Sequence, residues 1–157
     1  MPPAQATAAL DQDPDVHRRL RWMQRVGLGH MAIGRGLDTL SGGERQRLLL
    51  ARHLAAAADP ADLRLVLDEP TAGLHGQDVE RFLALCDELV DGGATVLVVE
   101  HDLRVIARAD HVIDVGPGAG EDGGRIVYAG APADLPSVTA SVTGHYLPAP
   151  QSAEARR

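Results

Sequence analysis

The sequence predicts an α/β fold in which a mostly parallel sheet is flanked by helices. Two apolar runs, at 63–67 and 94–99, end in acidic residues, which is typical of buried strands whose carboxyl ends reach solvent. Between them, residues 76–91 place apolar side chains at helical spacing. A strand, a helix of about four turns and a second strand form a βαβ unit, so the two strands should be parallel.

Local signals predict the remaining elements. Residues 16–26 read as a short amphipathic helix that the following glycines end. A second helix should begin after Ser41, because Glu44 stands at capping-box spacing from it, and should run to residue 58. The other predicted elements are a helix over 102–109 and strands over 111–115 and 124–130.

Length and composition favour one domain. The chain has 157 residues, of which 45% are hydrophobic, enough for one globular core. We expect that core within residues 15–147. Residues 1–14, rich in proline and alanine, should form a loose leader, and residues 148–157 a tail.

Composition also excludes several function classes. Cys86 is the single cysteine, so a disulfide within the chain and a cysteine-cluster zinc site are excluded, and a cytoplasmic location is expected. No apolar run approaches the roughly 20 residues that span a bilayer, so no membrane insertion is expected. The net charge of −7 disfavours DNA binding by this chain alone. The early arginines in "HRRLRWMQR" are interpreted as a solvated helix face.

The start of the second predicted helix is unusual. Gly42 and Gly43 follow Ser41 directly, although glycine costs about 1 kcal/mol in a helix. Without side chains there, a phosphate could reach the unpaired amides of the helix N-terminus. A capping box alone would explain Ser41 and Glu44, and the residues by themselves leave both interpretations open.

Polar residues end both strands of the predicted βαβ unit. Asp68 and Glu69 follow the first strand, and Glu100 and His101 follow the second. Ligands of parallel sheets gather beyond these carboxyl ends. Adjacent acidic residues suit a magnesium site, since one can hold Mg²⁺ while the other orients a water. The simpler alternative is that these residues only mark the return of the chain to solvent.

Four segments resemble motifs of ATP-binding-cassette (ABC) ATPases. "LSGGERQR" at 40–47 resembles the signature motif, "LRLVLDEPT" at 63–71 the Walker B strand, "AGLH" at 72–75 the D-loop, and "VVEHD" at 98–102 the switch-histidine segment. "DEPTAGLH", "GPGAGEDGG" and "SVTGHYL" further resemble UvrA, the excision-repair family. The resemblance implies the distal part of a P-loop NTPase nucleotide-binding domain.

The resemblance also implies roles for individual residues. Asp68 would support Mg²⁺ through water, Glu69 would polarise the attacking water, and His101 would sense the γ-phosphate. For His75 two interpretations stay open: contact with a partner, or simply the opening of the helix at 76. The implied ATP-binding positions are Ser41, Gly42, Gly43, Glu44, Gln46, Gly73 and His75, of which the first three would meet an ATP held by an opposing cassette.

One family motif is missing from these residues. ABC ATPases carry a phosphate-binding loop of the form G-x-x-x-x-G-K-[ST], and this sequence contains no lysine. We therefore expect ATP and Mg²⁺ to bind only with a partner that supplies the loop, and no zinc to be bound. That partner would be another ABC or UvrA-type cassette, with DNA contacted only through a larger assembly.

Several functions remain open at this stage. The first is an incomplete UvrA-like ATPase domain acting in nucleotide excision repair. The second is a regulatory module that presents "LSGGE" to another cassette. The others are an ATP-binding subunit of an ABC transporter or drug-resistance system, and a truncated, non-catalytic fragment.

Overall fold

The computed structural model describes residues 1–3, 5–6, 13–116, 118 and 123–147. They belong to two compact units, Met1–Glu100 and His101–Arg157. Half of the predicted leader, part of the "GPGAGEDGG" segment and the predicted tail lie outside the described residues. The predicted domain boundaries therefore stay predictions.

Helix α1 (Pro14–Met23) belongs to the first unit. The carboxylate of Asp13 caps it by accepting two backbone hydrogen bonds. A wide helical turn, Gln24–Leu28, continues the helix and contains Gly27 with a φ of +83°, a conformation that favours glycine. The predicted helix is confirmed, and Leu20 is its buried residue.

Helix α2 (Gly42–Ala56) starts at the predicted position after Ser41. Leu50 and Leu54 are buried on its inner side. Ala57 then adopts an extended backbone, which ends the helix slightly earlier than predicted. The two glycines therefore form the first helical positions.

The predicted βαβ unit is confirmed. Strands β1 (Arg64–Asp68) and β2 (Thr95–Val99) pair in parallel, with Asp68 opposite Val99. Helix α3 (Gly76–Asp91) connects them along the chain. The carboxyl ends of both strands consequently lie at the same edge of the sheet.

The two faces of this strand pair differ in burial. On one face Leu67 is buried in the core, and Leu65, Val96 and Val98 pack against it. The side chains of the other face remain largely exposed: Val66 is 71%, Leu97 53% and Val99 56% exposed. Parallel strands are usually covered on both faces. Within the described residues, this pair is covered on one.

The second unit contains helix α4 (Leu103–Arg108) and strands β3 (Val112–Val115) and β4 (Ile126–Gly130). The two strands pair antiparallel, with an irregularity after Asp114. The sequence predicted both strands and left their pairing open. The described strands thus form one parallel and one antiparallel pair. No helix in the described ranges is long and apolar enough to cross a membrane.

Two short 3₁₀ helices, Pro132–Ser137 and Thr143–Tyr146, complete the second unit. The segment between them is anchored to β3. Asp114 Oδ2 accepts a hydrogen bond from Ser141 Oγ at 2.5 Å, and its Oδ1 accepts one from Thr143 Oγ1 at 3.2 Å. Ser141 is completely buried. The Asp114 carboxylate is therefore part of the scaffold.

Candidate functional site

An open cleft of about 620 Å³ lies in the first unit, where the N-terminus of α2 meets the end of β1. The residues that line it are Ser41, Gly42, Gly43, Gln46, Asp68, Glu69, Ala72 and Gly73. All of them except Ala72 were predicted as site residues. The fold therefore brings the glycines and the acid pair, which are distant in sequence, to one surface.

The capping box at the start of α2 occupies some of its terminal groups. Ser41 Oγ accepts a hydrogen bond from Glu44 N at 3.2 Å, and Glu44 Oε2 accepts one from Ser41 N at 2.8 Å. The bond from the Ser41 amide is the main cause that lowers the pKa of the Glu44 carboxyl. In the described part of the chain, the amides of Gly42 and Gly43 donate no hydrogen bond. Two N–H groups at the positive end of the helix are thus available to an anion.

The two glycines have different surroundings. A Cβ added to Gly42 would meet no atom within 4 Å, so this position is open to the cleft. A Cβ on Gly43 would lie 2.8 Å from the carbonyl oxygen of Ala72, closer than real Cβ contacts. Glycine at 43 is therefore required by the turn packed against the helix, whereas glycine at 42 leaves space for a ligand.

The acid pair lies at the end of β1. Asp68 is the last strand residue, Glu69 follows it, and both are exposed. Glu69 has a φ of +45°, which is uncommon outside glycine. Its amide donates to Val99 O at 2.8 Å, and its carbonyl accepts from Ala72 N at 3.0 Å. Such backbone conformations cost about 1–3 kcal/mol and cluster at functional sites.

The turn after the acid pair is attached to two neighbouring elements. Glu100 Oε1, beyond the end of β2, accepts hydrogen bonds from Thr71 N at 2.9 Å and from Thr71 Oγ1. Arg47 Nη1, on α2, donates to Pro70 O at 3.2 Å and to Ala72 O at 3.3 Å. These contacts hold the turn against both the helix and the neighbouring strand.

Two predicted site residues of the first unit, Glu44 and His75, do not line the cleft. Glu44 serves the capping box. The carbonyl of His75 accepts the first backbone hydrogen bonds of α3, so His75 opens this helix, and contact with a partner stays a prediction. His101 belongs to the second unit, where it is exposed just before Asp102, the N-cap of α4. Its role as a phosphate sensor stays a prediction.

Sequence reasoning overlooked Ala72 and Arg47. Ala72 was part of the quoted D-loop segment, but nothing in its side chain indicates a site. Arg47 carried a signal: it follows Gly43 by about one helical turn and shares the inner side of α2 with Leu50 and Leu54. An arginine on the apolar side of a helix indicates a specific buried partner.

Comparison with known proteins identifies relatives of this chain. A family model described as ABC transporter matches residues 4–72. The UvrABC system protein A of Streptococcus pyogenes serotype M1 is 47% identical over 134 residues, and that of Rickettsia felis is 48% identical over 134 residues. Each alignment covers 85% of this chain and 14% of the relative. The chain therefore corresponds to a small part of these longer proteins.

Solved structures agree with these relatives. UvrA2 from Deinococcus radiodurans superposes with a TM-score of 0.84 and 43% identity, over 94% of this chain and 18% of that one. MJ0796, a bacterial ABC transporter cassette with a dimeric structure, matches with a TM-score of 0.52 and 29% identity, over 62% of this chain and 41% of that one. The transporter cassette is thus the weaker match. This chain belongs to the UvrA family of ABC-type ATPases and represents part of one nucleotide-binding domain.

Proposed function

We propose that this chain contributes one side of a composite ATP site in a UvrA-type assembly, where ATP binding and hydrolysis serve damage recognition in nucleotide excision repair. The cleft of the first unit carries the proposal. It presents the N-terminus of α2, which would face an ATP held by an opposing cassette, and the acid pair, which would act on a phosphate held by the missing loop of the same domain.

The N-terminus of α2 fits a terminal phosphate. Gly42 leaves open space, and the amides of Gly42 and Gly43 point to no acceptor among the described residues. The Ser41 hydroxyl accepts the capping hydrogen bond from Glu44 and keeps its own proton to donate. These donors, together with the helix dipole, favour an anion that is brought by the opposing polypeptide.

The acid pair fits the metal and the attacking water. ABC-type ATPases use ATP and Mg²⁺; when bound, ATP supplies the phosphoryl group and Mg²⁺ offsets the charge of its oxygens. Asp68 would hold the metal through water, and Glu69 would orient the attacking water and accept its proton. No three His, Cys, Asp or Glu side chains of the described residues cluster as a metal site. Phosphate oxygens and water must supply the other Mg²⁺ ligands.

The phosphate-binding loop must come from outside these 157 residues, since they contain no lysine. We propose that another ABC or UvrA-type cassette supplies it. DNA would be contacted by the larger assembly, because a net charge of −7 repels the phosphate backbone from this chain.

The test combines this chain with a segment of a UvrA-type relative that contains the G-x-x-x-x-G-K-[ST] loop. Binding of a fluorescent ATP analogue and ATP hydrolysis are measured for each component and for the mixture. We expect the chain alone to show no hydrolysis above its Glu69→Gln variant, and the mixture to bind and hydrolyse ATP. In the mixture, Glu69→Gln should lower kcat by about 100-fold or more, as for loss of a catalytic base.

Glu80→Gln is the matched control, because Glu80 is an exposed glutamate on α3 away from the cleft. It should leave the activity of the mixture unchanged. Hydrolysis by the chain alone that Glu69→Gln abolishes would contradict the need for a partner. Failure of every loop-bearing segment to bind would instead favour a non-catalytic fragment, whose uncovered Val66 and Leu97 would promote aggregation.

A further inference from the structure

Arg47 is a charged residue buried beneath the turn that follows β1. It is 3% exposed, although arginine is rarely buried without compensating partners. Its Nη1 donates to the carbonyl oxygens of Pro70 and Ala72 at 3.2 and 3.3 Å. One guanidinium nitrogen thus binds two carbonyls of the same turn.

Gly43 makes this contact possible from the helix side. A Cβ at Gly43 would lie 2.8 Å from Ala72 O and 3.1 Å from Arg47 Nη1. The turn therefore packs directly on the backbone of the first helical turn, and Arg47 binds it one turn further along. The same first turn carries the two amides that face the cleft, at Gly42 and Gly43.

The arrangement is a costly way to stabilise a fold. Arg47 Nε is buried without a hydrogen-bond partner in the described part of the chain. Burial lowers the pKa of Arg47, and the charges of Glu44 and Asp78 oppose this shift. Apolar residues of similar size often stabilise a core as well as buried charges do. The distinctive property of Arg47 is the pair of carbonyls that it holds.

We propose that Arg47 is a positioning residue that couples the glycine N-terminus of α2 to the turn after the acid pair. Through this contact, the phosphate-binding amides and the backbone next to Glu69 keep one relative arrangement when a partner docks. The inference rests on the proposed function and adds the contact that holds these two parts of the chain together. Arg47 itself does not line the cleft.

The test uses Arg47→Met, Arg47→Lys and the control Arg52→Met, which removes an exposed arginine from the same helix. In the mixture with the loop-bearing segment, Arg47→Met should lower kcat about tenfold or more, the size expected for lost hydrogen bonds to a charged group. KM for ATP should change by less than about threefold, since uniform binding is not altered. Arg47→Lys should restore most of kcat, because an ammonium can donate to both carbonyls.

Amide hydrogen exchange of the chain alone provides a second readout that needs no activity. The amides of Ala72 and Leu74, which donate to Glu69 O and Thr71 O, should exchange faster in Arg47→Met than in the native chain. Arg52→Met should leave them unchanged. If Arg47→Met does not fold, Arg47→Gln, which keeps a neutral donor, replaces it.

The outcomes separate this inference from the proposed function. If the mixture of the native chain with the loop-bearing segment is inactive, the proposed composite site is wrong. Unchanged amide exchange of Ala72 and Leu74 in Arg47→Met would independently refute the coupling between α2 and the turn. If the native mixture is active, an unchanged kcat in Arg47→Met, or no rescue by Arg47→Lys, would overturn the positioning role. Reduced kcat, faster exchange of the turn and lysine rescue together would support it.

Discussion

Asp68 of the first unit and Asp114 of the second are both strand aspartates, but their carboxylates have opposite surroundings. Asp114 is half-buried and accepts hydrogen bonds from Ser141 and Thr143. Asp68 is exposed in a cleft and accepts no hydrogen bond from the described residues. In sequence, each simply interrupts an apolar strand.

This difference distinguishes acidic residues whose carboxylates are hydrogen-bonded within the fold from those whose carboxylates remain available to a ligand. Hydroxyl donors from a later segment satisfy Asp114, so its charge anchors that segment to β3. Asp68 lines the cleft together with the bare backbone of Gly42 and the exposed Glu69. An acid with built-in donors is structural, whereas an acid that faces an open cleft is a candidate for chemistry.

The largest expected effect is on Asp114. Asp114→Ala should lower the free energy of unfolding by about 2–3 kcal/mol, because it removes charge-assisted hydrogen bonds and leaves the buried Ser141 hydroxyl without its acceptor. The matched change Asp68→Ala should stay within about 0.5 kcal/mol, as for exposed residues. Urea denaturation of both variants measures this. Equal losses of stability would end the distinction between the two aspartates.

A smaller effect is expected at the two glycines. Gly43→Ala should lower the free energy of unfolding by about 1–3 kcal/mol, because the new methyl group meets Ala72 O. Gly42→Ala should raise it by up to about 1 kcal/mol, since the position has free space and alanine restricts the unfolded chain. Thermal and urea unfolding of the two variants decide the matter. Destabilisation by both would mean that Gly42 also serves the scaffold.

The smallest effect concerns Glu44, a third acid, which the fold uses in its capping box. Its pKa is lowered in the folded chain, mainly by the hydrogen bond from the Ser41 amide. Its contribution to stability is therefore present above the pKa of an unfolded glutamate and is lost as pH falls through the lower folded value. Glu44→Gln keeps an oxygen acceptor but does not titrate.

The pH dependence of unfolding should consequently differ between the native chain and Glu44→Gln only in the acidic range below the ordinary glutamate pKa. Asp91→Asn, at the exposed C-terminal end of α3, is the control. A difference between native and Glu44→Gln that appears near neutral pH would contradict the assignment.

Much of the fold could be predicted because its signals are local. The βαβ unit, the capping box at Ser41 and the helix that starts at residue 76 depend on periodicity, caps and breakers within a few residues. Motif resemblance identified the family, which the comparisons confirm. The pairing of β3 with β4 was left open, because strand propensity does not determine a partner.

The candidate site was only partly predictable. Sequence reasoning selected seven of the residues that line the cleft, but it assigned Gly42 and Gly43 one common purpose. In the fold, only Gly42 is open, while Gly43 accommodates Ala72 O. The buried Arg47 was overlooked because its partners are backbone carbonyls, which leave no trace in side-chain identity.

The sequence by itself determined the elements, their order and the family, and it predicted candidate residues for contact with a phosphate or a metal. Only the tertiary structure decided which of these residues are open to the cleft and which are occupied by contacts within the fold. The contact between Arg47 and Ala72 spans 25 positions and exists because α2 packs against the turn after β1. Propensity and motif act over neighbouring residues, whereas such contacts depend on how the core brings distant backbone together.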